Sequence, residues 1–306
     1  MASRNSRDYR DIDGVLILDK PIGVSSNHAL QQVRRLFRAR KAGHCGSLDP
    51  LATGVLPICL GQATKFSSYL LGAHKRYRAT CRLGQTTTTG DAEGEVIEHR
   101  PVAVDRERLL QLLPKFIGQI EQVPPMYSAL KHQGKRLYQL AREGKQVERP
   151  PRQVEIFELE LLSLDSDELE IEVCCSKGTY IRTLAEDIGN ALGCGAHLIA
   201  LRRTAVDTLA EQDAFSIEKL QQLASASSAK IDELLLPVTV ALADFAELRL
   251  EAGASLDICN GKRVNLADSP APGLYRLVSA EGDFIGLGEV RPDSELLPKR
   301  LMNTAR

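Results

Sequence analysis

Hydrophobic and polar positions alternate most cleanly in RYRATCRLG, where Tyr77, Ala79, Cys81 and Leu83 share one face and Arg76, Arg78, Thr80 and Arg82 the other. A period of two predicts a half-buried strand. LEIEVCCS repeats it through Leu169, Ile171, Val173 and Cys175, and residues 154–162 and HLIALRRTAV read as further strands. GVLILDKP reads as a short buried strand ending at a proline, and VLPICLG as another. Helical spacing follows Ser25 or Ser26, either of which can cap a helix with Ala29, Leu30, Val33, Leu36 and Phe37 on one face. Arg34, Arg35 and Arg38 leave on the other side. Helices are also expected around 63–71, around 105–116 where Pro114 must end or kink the chain, and in a short stretch stopped by Gly144. After KGTY, a helix buries Ile181, Leu184, Ala185, Ile188 and Leu192. TTTTGDAEGEV has the composition of a turn or loop, and ASASSAK (224–230) that of a small-residue linker. Beyond about Phe245, LYRLV, a turn at AEGD and FIGLGEV describe a small β module. Strands and helices in irregular order predict an α+β protein with a mixed, largely antiparallel sheet flanked by helices, not a doubly wound one.

The 306 residues suit one large and one small domain, divided here at 1–240 and 241–306. Hydrophobic residues make up 43%, without a membrane-spanning run. MASRNSRDYRDIDG lacks the apolar stretch of a secretory signal. The seven cysteines show no CxxC spacing and read as small core residues, which implies a reducing cytoplasm. A net charge of −1 argues against a bulk polyanion binder, but its distribution is uneven. RRLFRARK, KRYRATCR and the segment 131–152 are basic, while 207–257 is acidic. Each run alone is an ordinary solvated surface. Three in one half of the chain shift the balance toward nucleic acid.

GHCGSLDPLATGVLP (43–57) carries the candidate chemistry. Asp49 precedes Pro50, which keeps its backbone extended. Gly46 and Gly54 allow turns and close backbone approach, and Leu48, Leu51 and Leu56 can anchor the loop. Such a fixed carboxylate suits a nucleophile or general base. An Asp-Pro turn bonding its own backbone has equal weight on the loop alone. His44, beside a glycine, reads more readily as a structural group. Tyr180 and Arg182 stand at the first turn of a helix directly after a strand, and arginine is the usual partner of a fixed carboxylate. A surface pair between Arg182 and Glu186 is the alternative. Tyr77, an aromatic on an apolar strand face, reads as core.

GHCGSLDPLATGVLPICLGQATKF, RYRATCRLGQTTTTGDAEGEV and CSKGTYIRTLAEDIG stand in an order and at separations that resemble the bacterial TruB family, the tRNA pseudouridine-55 synthases. GVLILDKPIGVSS, PPMYSALKHQGKRLYQLAREG and HLIALRRTAV support the likeness, which covers about 12–240. The C-terminal portion is similar, more loosely, to a PUA-like RNA-binding module. The resemblance implies the pseudouridine synthase catalytic fold, with a basic RNA-binding arm at about 124–152. It implies Asp49 as the catalytic aspartate, with Arg182 paired to it and keeping it ionised. Tyr77 would stack on the target uracil, and Tyr180 and Leu201 match later active-site motifs. Lys20 with Pro21 would support the site, and His44 would help recognise RNA. Cys45 stands where threonine is more usual. Arg34, Arg35, Arg38, the strand arginines 76, 78 and 82, and arm residues such as Lys131, Lys135 and Arg136 would hold phosphates. The implied reaction isomerises uridine-55 in the T-loop of tRNA after flipping it out, without cofactor, metal or membrane, in a monomer. The sequence shows no dinucleotide fingerprint, P-loop or metal-ligand cluster. An RNA-folding protein and a nucleoside-bond hydrolase are the rival readings.

Overall fold

The computed structural model describes residues 9–266 and 270–303. Its centre is a nine-stranded sheet whose main path runs Gly14–Lys20, Thr53–Leu60, Ala196–Val206, Lys75–Leu83, Glu168–Cys175, Arg152–Asp165, Gly118–Gln122. Neighbours along this path are antiparallel except Thr53–Leu60 with Ala196–Val206, which run parallel at Arg202↔Thr53 and Arg203↔Gly54. The expected mixed, largely antiparallel α+β fold is present. The alternating strand does what its period requires: Tyr77, Ala79, Cys81 and Leu83 are buried, and Arg78 is exposed.

Two helices position the site. Ser26–Leu36 buries Ala29, Leu30 and Val33 against Leu16, Leu18, Leu56 and Ile58 of the first two strands. Ile181–Leu192 buries the expected stripe, Ile181, Leu184, Ala185, Ile188 and Leu192, on the strands carrying Tyr77, Val173 and Leu201. A separate five-stranded sheet, ordered Glu247–Arg249, Gly273–Val278, Phe284–Val290, Glu295–Leu301, Val264–Asn265, forms the C-terminal part. It packs on the larger part of the chain through Phe284 on Phe66, which lies in the turn after the strand Thr53–Leu60, with ring centroids 5.6 Å apart. Among the described residues no helix is long and apolar enough to cross a membrane. The cysteines are free thiols, and those at 45, 59, 81, 175 and 194 are buried.

Three expectations change. Residues 224–230 are not a linker: Ile217–Ala226 runs into them as a helix, and Ser227 caps the next one, Ser228–Asp232. Alanine is a strong helix former, and a serine at the junction satisfies the next helix start, so small residues here continue structure. TTTTGDAEGEV is part hairpin, because Gln85–Thr87 pairs with Val96–His99. The cationic strand face is largely neutralised. Arg76 pairs with Glu158 at 2.5 Å and Glu172 at 3.1 Å, and Arg82 with Asp167 at 3.1 Å and Glu168 at 2.5 Å. The strand order sets glutamates of the next two strands beside these arginines, which a single strand cannot reveal.

Candidate active site

The loop carrying Asp49 is clamped from three sides. Ser25 caps the first helix, its hydroxyl accepting from His28 N at 3.2 Å, and this leaves Ser26 for another task. The Ser26 hydroxyl donates to Leu48 O at 2.9 Å and accepts from Leu48 N at 2.7 Å. Gly23 N donates to Pro50 O at 2.8 Å, and Ala52 N closes a turn onto Asp49 O at 3.1 Å. Leu48 and Ala52 are buried in one cluster with Tyr77, Ile181 and Leu201, and Leu51 packs against it. On the other side, buried Arg203 donates from Nε to Val55 O at 2.6 Å and from Nη2 to Gly46 O at 3.2 Å. Gly54 has φ +98°, and a Cβ there would lie 2.2 Å from Arg203 O. Gly54 therefore does what the loop's composition suggests: it lets another backbone come close.

Arg182 leaves the first turn of its helix and reaches this loop. Its Nη2 lies 2.9 Å from Asp49 Oδ2 and donates to Tyr127 O at 2.8 Å. Its Nη1 donates to Thr89 O at 3.1 Å and lies 3.5 Å from Asp91 Oδ2. Among the described residues its ion-pair partners are Asp49 and Asp91, so the Glu186 alternative falls. The side chains of Arg182 and Asp91 are 5% and 4% exposed, that of Asp49 46%. Asp91 is thus a buried fixture, while Asp49 sits at the walled base of the cleft, enclosed by protein on most sides with part of its side chain open to the cleft.

Asp49 departs from expectation in one respect. Its carboxyl lies above the ordinary aspartate value, because burial outweighs the pull of Arg182 and the Asp91 charge adds to the rise. Burial also lowers Lys20 to about 8, despite the nearby Asp49 charge. The Lys20 ammonium is held by Pro21 O at 2.8 Å and Val24 O at 2.6 Å, so it braces the backbone beside the loop. His44 is pushed down by burial and by Arg203, and its Nδ1 is buried without a hydrogen-bond partner among the described residues. Burial raises the phenols of Tyr77 and Tyr180. Tyr77 stands opposite Arg203 across the strands, and the Tyr180 backbone exchanges hydrogen bonds with the Gln122 side chain at 3.0 and 3.3 Å.

An open cleft of about 750 Å³ lies over this arrangement, lined by His44, Asp49, Asp91, Glu93 and Arg182. Lys131, Arg136, Tyr138 and Arg142 of the arm line it too. Tyr77, Leu201 and Lys20 are buried. Other expected residues lie elsewhere. Arg34 and Arg35 line a different depression with Tyr9 and Gln31, and donate to main-chain carbonyls of Ala39, Arg40 and Gln31. Arg38 sits just past the same helix with φ +51°. Lys135 pairs with Glu143 at 3.9 Å. Asp91, Ser26 and Arg203 are contributors that the sequence reading missed. Asp91 had one signal, an acid directly after Gly90 in a threonine-rich turn, with Glu93 two residues on.

The pattern of the TruB family pseudouridylate synthase N-terminal domain matches residues 34–181, and that of the tRNA pseudouridylate synthase B C-terminal domain 182–243. A third, pseudouridine synthase II TruB, C-terminal, matches 246–302. The tRNA pseudouridine synthase B of Nitrosococcus oceani is 54% identical over 294 residues, 96% of each chain. The chain belongs to the TruB family of pseudouridylate synthases. The tRNA pseudouridine synthase B of Escherichia coli K12 is 48% identical over 308 residues, 98% of both chains. The TruB likeness extends to the fold of a chain in the crystal structure of a Cbf5-Nop10-Gar1 complex, with TM-score 0.71 and 25% identity over 92% of this chain and 79% of that one.

Proposed function

We propose that this TruB family protein is a tRNA pseudouridine synthase acting on uridine-55 of the T-loop. The observation that carries the reading is the Asp49–Arg182 pair at 2.9 Å, opening into a cleft flanked by the basic arm. The isomerisation breaks the C1′–N1 bond, turns the uracil, forms C1′–C5 and loses the C5 proton. It needs a carboxylate fixed at the glycosidic bond, which Asp49 supplies, with Arg182 holding one of its oxygens. Tyr77 would lie against the uracil ring, and Leu201 would pack beneath it. A loop uridine reaches this carboxylate only by leaving its stack, and a loop base costs less to extrude than a duplex one. Lys131, Arg136 and Arg142 line the cleft where the flanking phosphates would lie.

The test is a tRNA transcript carrying tritium at uridine C5. The enzyme releases the label to water, and Asp49→Asn abolishes release while RNA binding persists. Cleavage of the glycosidic bond with label retained would make the protein a hydrolase. Tight RNA binding without either product would make it a binding protein.

A further inference from the structure

We propose that Arg203 is a positioning residue for the isomerisation, a role that rests on the reading above. Its buried guanidinium fixes the Asp49 loop relative to Tyr77, and its uncancelled charge favours the anion that uracil becomes on detachment. When the C1′–N1 bond breaks, its electron pair goes to N1 and the ring carries a negative charge. C5 then supplies the pair for the new C1′–C5 bond and loses its hydrogen as a proton, while N1 gains one. The sum is an isomerisation, with a transient anion in the middle.

Arg203 is only 1% exposed, yet among the described residues it forms no ion pair. Arg182, also buried, faces both Asp49 and Asp91. The hydrogen bonds of Arg203 go to main-chain oxygens, from Nε to Val55 O at 2.6 Å and from Nη2 to Gly46 O at 3.2 Å. Its Nη1 lies over Gly46, 3.4 Å from where a Cβ would stand. Lys20 and Lys75 are buried nearby, and their ammonium groups too are held by carbonyls, those of Pro21 and Val24 and that of Leu71. The interior around Arg203 therefore carries more positive than negative charge. A buried cation without an anion is costly, and apolar packing would brace a loop as well. The charge calls for a use beyond bracing.

The strand register places that use. Arg203 and Tyr77 are partners across the antiparallel strands Ala196–Val206 and Lys75–Leu83. Such partners share a face of the sheet, with Cβ atoms about 5 Å apart. Leu201 precedes Arg203 on the same face and is buried in one cluster with Tyr77. Burial raises the Tyr77 phenol, and the Arg203 charge offsets part of that rise. On the other side, Gly46 and Val55, whose carbonyls the guanidinium holds, bracket Asp49 in the chain. One planar group thus joins both ends of the Asp49 loop to the strand that carries Tyr77. A uracil against Tyr77 has this cation one side chain away, where exclusion of water strengthens its effect on developing charge.

The experiment compares wild type, Arg203→Lys and Arg203→Met on a T-arm stem-loop carrying tritium at uridine C5, with thermal unfolding of each protein. Lysine keeps the cation but cannot bridge two carbonyls with a planar fork, and methionine removes both. Arg203→Met is expected to lower kcat by about 10²-fold or more and Arg203→Lys by about 10-fold, each with KM within a few fold. A wild-type rate in either variant overturns the role. So does a raised KM with kcat intact, which makes Arg203 an RNA contact. Lysine no faster than methionine, with equal losses of Tm, makes it a brace alone and overturns the charge. Should Arg203→Met not fold, Arg203→Lys decides: a 10-fold loss of kcat with KM unchanged supports the role, and a wild-type rate overturns it. Absence of label release from wild type instead removes the function itself.

Discussion

Arg182 holds Asp49 at 2.9 Å, yet the Asp49 carboxyl is harder to ionise than a free aspartate. The guanidinium is shared with Asp91, whose charge pushes Asp49 upward while burial does the larger part. If ionised Asp49 is the working form, the acid limb of the single-turnover rate against pH lies above the ordinary aspartate value of 3.8. Asp91→Asn removes one of the two upward pushes, so its acid limb shifts to lower pH. Rate–pH profiles of both proteins check this, and an unmoved limb would count against Asp49 as the titrating group.

Asp49 also makes a claim about stability. Its folded pKa is raised, so the native state binds more protons than the unfolded chain once pH climbs past 3.8. Stability then falls with rising pH across that window, and the deficit persists at neutral pH. Asp49→Asn escapes it, because an amide never ionises, while Arg182 keeps Asp91 and the carbonyls of Thr89 and Tyr127. Thermal unfolding at pH 7 is expected to show the variant at least as stable as wild type, the gap closing below pH 3.8. A variant clearly less stable at pH 7 would mean the Arg182 contact outweighs burial. Loss of reaction with gain of stability is the signature of a residue kept for chemistry.

Ser26 is the most economical test of loop placement. Its buried hydroxyl makes both hydrogen bonds to the Leu48 backbone, one residue before the acid. Ser26→Ala leaves a buried N–H and C=O unpaired, at a cost of about 1–3 kcal/mol for such groups. Calorimetry should show a lowered Tm. Single-turnover rate should fall more than RNA affinity, because a loosened carboxylate loses its alignment while the basic arm is untouched. Equal losses in both would mean the clamp supports the fold and not the acid.

How far the site was legible depends on where its causes lie in the chain. Period-two strands print their burial locally, so Tyr77 to Leu83 and Leu169 to Cys175 could be read directly. Asp49 was legible because Gly46, Pro50 and Gly54 mark a rigid turn around one acid. Asp91 was hidden, since what buries it is a guanidinium from a helix far along the chain, and threonines and glycines around it look like any exposed loop. Arg203 reads as one more basic residue on a strand. Its role follows from the parallel contact that brings it to Gly54. The choice between Ser25 and Ser26 as cap needed the loop that Ser26 holds.

The same dependence on strand order separates two sets of basic residues with alike surroundings in sequence. Lys131, Arg136 and Arg142 line the cleft, whereas Arg76 and Arg82 are occupied by Glu158, Glu172, Asp167 and Glu168. A phosphate contact releases counterions, and each one lost reduces the slope of log K against log salt by about 0.7 on single strands and 0.9 on duplex. Replacing Lys131, Arg136 and Arg142 together by glutamine should therefore weaken stem-loop binding and flatten its salt dependence by about two slope units. Arg76→Gln with Arg82→Gln should leave the slope unchanged and lower stability modestly, about 1 kcal/mol or less for each such partly exposed pair. Titrations over a range of salt concentrations distinguish the two sets. Flattening by the strand pair and not by the arm would place the RNA on the opposite face of the sheet and detach the cleft from its substrate.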